Sequence, residues 1–307
     1  MTFWVSVFEA SVRLGIPLLL VALGELIAER GGIINIGLEG MMSAGAYIGF
    51  VVMAAIGNAQ MALLAAALSG MAIAGIMAGV AIWGRVNQIL TGFALFVMVP
   101  AATAFLYQQS TSSLVVTPAL PILALPILSD IPILGRLFFA QNEFYYIAVA
   151  LCLVIWALFN RTLWGLQITA CGHNPDVAAS KGIPVLRVRT SATLACGALA
   201  GLAGAALTVG ALGQFSPGVT GGLGFVAIAS VILGRWRVQG VVVAAMAIGF
   251  ADAFRLRIGS HVNFPVQLLA MVPWIVVLLM LIAGARFANV PRALGRNFGS
   301  VAAINSR

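Results

Sequence analysis

The sequence predicts an all-α fold, a polytopic transmembrane helical bundle of roughly eight spans (8–10) with broken or re-entrant helices. Three observations carry that expectation. Of the 307 residues, 62% are hydrophobic and only 8% are charged, against about 25% charged in an average soluble domain. Apolar runs recur along the whole chain, at lengths suited to a hydrocarbon core about 30 Å thick, which takes roughly 20 residues of helix. These runs are too long for the alternating strands of a barrel, and lipid cannot satisfy an open backbone, so helices remain.

In chain order the runs fall at 14–28, 33–56, 60–83, 87–108, 144–159, 190–212, 223–234 with 238–254, and 265–284. The opening MTFWVSVFEASVRLG carries Glu9 and Arg13. It reads as an amphipathic lead-in to a retained helix rather than a cleavable leader. The run 223–234 is too short to span alone, which predicts a half-helix or part of a re-entrant element. Between the fourth and fifth runs, segment 109–143 holds Pro118, Pro121, Pro126 and Pro132 among apolar residues. Proline at this density opposes a regular helix; an external lid and an additional buried element both fit. The whole chain, 1–307, reads as one transmembrane domain.

Loop charge sets the orientation. With loop 160–189 inside, that side receives Arg30, Arg85, Arg161, Lys181, Arg187, Arg189, Arg235, Arg237, Arg286, Arg292, Arg296 and Arg307, twelve of the 16 basic residues. Arg13, Arg136, Arg255 and Arg257 fall outside. The C-terminus is therefore expected in the cytoplasm and the N-terminus outside. The net charge of +8 is spread between apolar runs, so it points to membrane lipid and not to nucleic acid.

The residue inventory narrows the mechanism. The single lysine, Lys181, stands between Ser180 and Gly182, so no GxxxxGK[ST] phosphate loop exists and the chain has no ATPase site of that type. No HExxH or GxSxG occurs, and His173 and His261 lie in different loops. No catalytic residue, metal site or bound cofactor is expected. Cys152, Cys171 and Cys196 form no metal-ligand or disulfide pattern. Ionisable residues inside spans are costly and usually functional. Here they are Glu25, Glu39 and Asp252. Glu25 and Asp252 sit near predicted helix ends, close in sequence to Arg30 and to Arg255 or Arg257. Ion pairs or caps are expected there, with ion-coupled transport as the alternative.

Residues 171–183, CGHNPDVAASKGI, predict a helix of about two turns. Asn174 is a good N-cap, Pro175 suits the first helical position, Asp176 complements the helix dipole, and Gly182 supplies a stop. So short a helix is marginal alone. Ala178 and Ala179 offer a small-residue surface for another protein; a connector packed on its own bundle is the alternative.

The stretch GGIINIGLEGMM interrupts the apolar pattern with Gly31, Gly32, Gly37 and Gly40. A broken membrane helix exposes backbone groups, tolerated where they are buried or line a cavity. If helical from Asn35, the stretch places Asn35 and Glu39 on one face. A second stretch, GQFSPGVTGGLGF, sets Gln214, Ser216 and Thr220 beside Phe215 and Phe225. Polar groups beside aromatic faces suit ribose hydroxyls and a base. Asn35, Gly37, Glu39, Gly40, Gln214, Phe215, Ser216, Thr220 and Phe225 are thus the candidate translocation path. Close helix packing by the glycines, with Asn35 and Glu39 capping neighbouring helix ends, is the alternative.

The run RTLWGLQITACGHNPDVAASKGIPVLRVR closely resembles the cytoplasmic loop of ABC importer permeases of the branched-chain amino acid, simple sugar and nucleoside family. DVAASKG is similar to the EAAxxxG pattern of importer permeases, with Asp176 in place of Glu and Val177 in place of the first Ala. GELIAERGGIINIGLEGMMSAGAYIGF and GALGQFSPGVTGGLGFVAIASVILGRW resemble signatures of the nucleoside-type subgroup, while sugar permeases carry a GGIDLSVGS-like sequence where this chain has GGIINIGLE. The resemblance implies that Asn174, Pro175, Asp176, Ala178, Ala179 and Gly182 form a coupling helix within loop 160–189. It also implies a second homologous permease, ATPase domains using ATP and Mg, an external substrate-binding lipoprotein, and the bacterial cytoplasmic membrane. The expected function is nucleoside import, with simple sugars or branched-chain amino acids as the alternative cargo.

Overall fold

The computed structural model describes residues 2–110, 122–124, 139–259, 266–269, 271–284 and 290–299. Its elements are α1 (Thr2–Arg30), α2 (Leu38–Ile56), α3 (Ala59–Met77), α4 (Gln88–Ser110), β1 (Ile122–Ala124), β2 (Ala140–Asn142), α5 (Glu143–Arg161), α6 (Leu163–His173), α7 (Pro175–Ser180), α8 (Val185–Leu207), α9 (Leu223–Leu233), α10 (Val238–Gly259), α11 (Val266–Leu269) and α12 (Val272–Gly284). Two π-type turns, Ala78–Trp83 and Thr208–Leu212, prolong α3 and α8.

Among the described residues six helices are long and apolar enough to cross a membrane: α1, α2, α3 and α8 with their extensions, α4 and α5. They match the first six expected runs. The short α9 has 11 residues, about 16 Å of helix, so it reaches only halfway through a bilayer, as the half-helix reading required. The 22-residue α10 and 13-residue α12 occupy the remaining runs. Strands β1 and β2 pair antiparallel, Leu123 opposite Gln141. This three-residue ladder is the one departure from the all-α expectation among the described residues. The expected lid or buried element lies largely at 111–121 and 125–138, outside the described residues.

Burial sorts the helices into an inner and an outer set. In their most apolar windows α1 is 83% buried and α2 and α8 are each 67% buried, against 28% for α4 and 17% for α5. Small residues make the inner set possible. A Cβ at Gly201 of α8 would come within 2.1 Å of the Ala66 carbonyl on α3, and one at Gly204 within 2.0 Å of the Met42 carbonyl on α2. Helix α8 therefore meets both α2 and α3 backbone to backbone, the way membrane helices gain contact when apolar burial from water is not available. The outer set turns Leu90, Phe93, Met98 and Phe105 of α4 and Leu153 and Val154 of α5 outward. A soluble protein would aggregate through such a surface; lipid accepts it.

Candidate functional site

Two places gather the residues singled out in the sequence, and each is built by local chemistry. At the first, α6 turns into α7. Asn174 is the N-cap, its side-chain oxygen accepting from Val177 N at 3.1 Å, with Pro175 at the first helical position. The stop is a left-handed Gly182 at φ +80, whose N–H reaches Ala179 O at 2.9 Å while Ile183 N reaches Ala178 O at 3.1 Å. Ala178 is turned inward and only 4% exposed, Ala179 is half-buried, and Asp176, Val177, Ser180 and Lys181 face outward. The free surface is thus a mixed polar and valine face. The smallness of Ala178 serves to seat α7 on its own bundle.

What holds this corner is a buried arginine and segment 290–299. Arg189 of α8, 1% exposed, donates to Arg296 O at 2.7 Å and to Cys171 O at 3.2 Å. Burial pushes the Cys171 thiol above its ordinary pKa, with Arg189 acting the other way. Ala293 N bonds Gly172 O at 2.9 Å and Gly295 N bonds Gly32 O at 3.1 Å. Asn297 donates to Arg85 O and Val86 O, and accepts from Gln88 Nε2, whose Oε1 accepts from Ile34 N. Segment 290–299 therefore ties the α6–α7 corner, the glycine break and the α3–α4 turn together. Gly32, at φ +86, has no room for a Cβ, which would lie 2.7 Å from the Arg189 guanidinium.

At the second place the two glycine-rich stretches meet. Helix α2 begins only at Leu38, so Asn35 lies in the preceding turn and does not share a helical face with Glu39. Glu39, 6% exposed, reaches across to α9, accepting from Gly222 N and Gly224 N at 2.8 Å each. It stands in the first turn of α2 and at the start of α9, so one carboxylate compensates the positive ends of two helix dipoles. Gly37 and Gly40 sit against α4: a Cβ at Gly40 would approach Leu95 O to 2.6 Å. Asn35 is fully buried; its backbone N–H donates to Glu25 at 3.1 Å, and its amide contacts the Met41 and Cys196 sulfurs.

In the second stretch Phe215 is buried, with the rings of Tyr47 and Tyr107 edge-on at 5.3 and 5.2 Å. Phe225 is partly exposed and meets Phe96 at 5.1 Å. Gln214 and Ser216 are exposed. Thr220 is buried and lines a cavity of about 370 Å³ between α1, α9, α10 and α12, with Asp252 and Arg255 at one side.

Two expectations about ionisable residues separate here. Asp252 pairs with Arg255 at 2.7 Å, as expected. Glu25 does not pair with Arg30: five positions apart on a helix, they point about 140° from one another. Glu25 is buried against Asn35 and Cys196, and Arg30 lies over the Phe159 ring at 4.2 Å. Sequence reasoning also missed Ser43 and Tyr47. They follow Glu39 at steps of four, hence on one face of α2, and Ser43 bonds Thr103 of α4 at 2.8 Å. That four-residue polar spacing was the available signal. Glu29, bonded by the Trp236 indole, was missed as well.

A family model described as branched-chain amino acid transport system / permease component matches residues 7–284. The chain is 31% identical to the guanosine ABC transporter permease protein NupQ of Bacillus subtilis, covering 94% of this chain and 95% of that one. It is 29% identical to the nucleoside ABC transporter permease protein NupC of Lactococcus lactis subsp. cremoris, over 92% and 93%. It is 35% identical to the putative glucose ABC transporter permease protein TsgC13 of Haloferax volcanii, over 84% and 79%. No solved structure matches. With a bundle of apolar helices and a family match over nearly its whole length, the chain belongs to the permease components of the branched-chain amino acid transport system type, as an ABC importer permease.

Proposed function

We propose that this permease carries nucleosides or related nucleobase-containing compounds, delivered by an external binding lipoprotein, across the bacterial cytoplasmic membrane. A second homologous permease completes the path, and a partner ATPase consuming ATP and Mg drives it. Helix α7 is its docking point for that ATPase, on a cytoplasmic face shared with the C-terminus. The observation that carries this reading is the seat of α7: an exposed helix strapped, through Arg189 and segment 290–299, to the glycine break before α2. A force on α7 has a bonded route to α2, and Glu39 continues it to α9. The nucleoside preference rests on the relatives' names and on the uncharged polar and aromatic groups along α2, notably Ser43 with Thr103, and Tyr47 with Phe215, which also meets Tyr107. Translocation is assigned to the nine residues of the candidate path, Asn35 and Glu39 foremost. The glucose permease likeness favours a second reading, a sugar cargo through the same machinery.

The test is Asp176→Arg and, separately, Gly182→Pro, expressed with the complete set of transporter subunits. Both are expected to abolish ATPase copurification and uptake while leaving the permease inserted and monodisperse. Undiminished association and uptake in both would remove α7 from the coupling role. A panel of nucleosides, sugars and branched-chain amino acids offered to the external binding protein separates the cargo readings. Ion-gradient-driven uptake by the isolated chain in liposomes, with no ATP, would replace both by secondary transport.

A further inference from the structure

Beside the α6–α7 corner, apart from the α2–α9 junction, lies a cavity of about 420 Å³. Arg30 from the end of α1, His173 from the end of α6, Arg235 and Arg237 from the α9–α10 turn, and Arg292 from the C-terminal segment line it, with Trp236 among the uncharged residues of the wall. Among the described residues that line it, none is a carboxylate. The neighbouring Glu29 is 2% exposed and taken up by the Trp236 indole.

The arrangement is held by design of the backbone. Arg235 and Trp236 stand consecutively at φ +53 and +55, a region uncommon for residues other than glycine and kept only where surrounding structure enforces it. Here Arg235 N bonds Ile232 O at 3.0 Å, Trp236 N bonds Val231 O at 3.2 Å, and Arg237 N bonds Gly234 O at 3.0 Å. The Arg30 guanidinium is fixed over the Phe159 ring, and segment 290–299 is anchored by the Ala293–Gly172 bond. Arginines from three separate parts of the chain, with His173 from a fourth, thus converge on one space. Guanidinium forks match phosphate oxygens two by two. The cavity also lies at helix ends, where basic pockets between membrane helices meet anionic head groups.

We propose that this cavity binds a phosphate-bearing anion through its phosphate oxygens, the source being an anionic phospholipid head group or a soluble phosphate compound. Occupancy joins α1, α6, the α9–α10 turn and segment 290–299, and so stiffens the seat of α7. The full chain in phosphatidylcholine nanodiscs tests this in two arms. In one, phosphatidylglycerol is added stepwise and retained lipid is counted by native mass spectrometry. In the other, pyrophosphate is titrated by calorimetry. Saturable binding is expected in at least one arm: in the first alone it assigns a lipid, in the second alone a soluble phosphate, and in both a site open to either.

Arg237→Gln combined with Arg292→Gln is expected to weaken that binding by about tenfold or more, and Lys181→Gln, outside the cavity, to leave it unchanged. Arg237→Lys with Arg292→Lys keeps the charge should the glutamine pair fail to fold, and is expected to weaken binding severalfold through loss of the fork geometry. The proposal is overturned by no saturable binding in either arm, by wild-type binding in both double variants, or by equal competition from a phosphate-free polyglutamate peptide, which would mark a docking point for an acidic partner.

Discussion

The two glycine-rich stretches look alike in composition and use glycine for opposite reasons. In the first, Gly37 and Gly40 have ordinary backbone angles but no space: neighbours on α4 stand 3.2 and 2.6 Å from where a Cβ would be. In the second, Gly218 and Gly221 have open space, with nothing within 4 Å, but backbone angles of φ +79 and +56 that other residues rarely adopt. Gly37 and Gly40 form a packing surface and Gly218 and Gly221 form turns, while Gly32 at φ +86 and Gly224, where a Cβ would lie 2.7 Å from Glu39 N, cross that division. Glycine content alone therefore says little about where a substrate passes; the neighbours decide it.

The same substitution at both places gives the sharpest contrast. Gly40→Ala forces α2 away from the Leu95 carbonyl and is expected to cost about 3 kcal/mol, read as a lowered unfolding temperature of the detergent-purified protein. A wild-type temperature would show that α4 yields freely and would dissolve the distinction. Next in size is the link between the stretches. Glu39→Leu leaves the buried Gly224 N–H and the half-buried Gly222 N–H at the start of α9 without an acceptor, costing about 2 kcal/mol, and uptake should fall in step. Glu39→Gln still accepts one bond and should lose about 1 kcal/mol; an equal loss in both variants would mean that charge, and not acceptance, is what α9 requires. The smallest effect is expected at Gly218→Ala, about 1 kcal/mol from the left-handed angle alone, with assembly intact. A loss there matching Gly40→Ala would reverse the comparison.

Much of the fold was legible because it obeys local or one-dimensional rules. Hydropathy placed the spans, and α9 announced itself by being too short. The α7 helix was legible residue by residue because Asn174, Pro175 and Gly182 act on their own backbone. What stayed hidden depends on partners far along the chain. Glu39 finds its partners 183 and 185 residues away. Arg189 counted only as one more positive charge on a loop, yet it is buried and bonded to the C-terminal segment. Ala178 seemed a contact for another protein, and only the packing of α7 shows which way it faces. Tyr47 and Ser43 lay in an apolar run with no local feature beyond their spacing from Glu39.

Segment 290–299 has a consequence in time. A ribosome delivers these residues after every helix that they tie together, and chains fold largely in the order of their synthesis. The straps from Ala293 to Gly172, from Gly295 to Gly32 and from Arg189 to Arg296 cannot close on an unfinished chain. Until then the α6–α7 corner lacks its backing. A permease cut before residue 290 would lose all three straps and present α7 loosely.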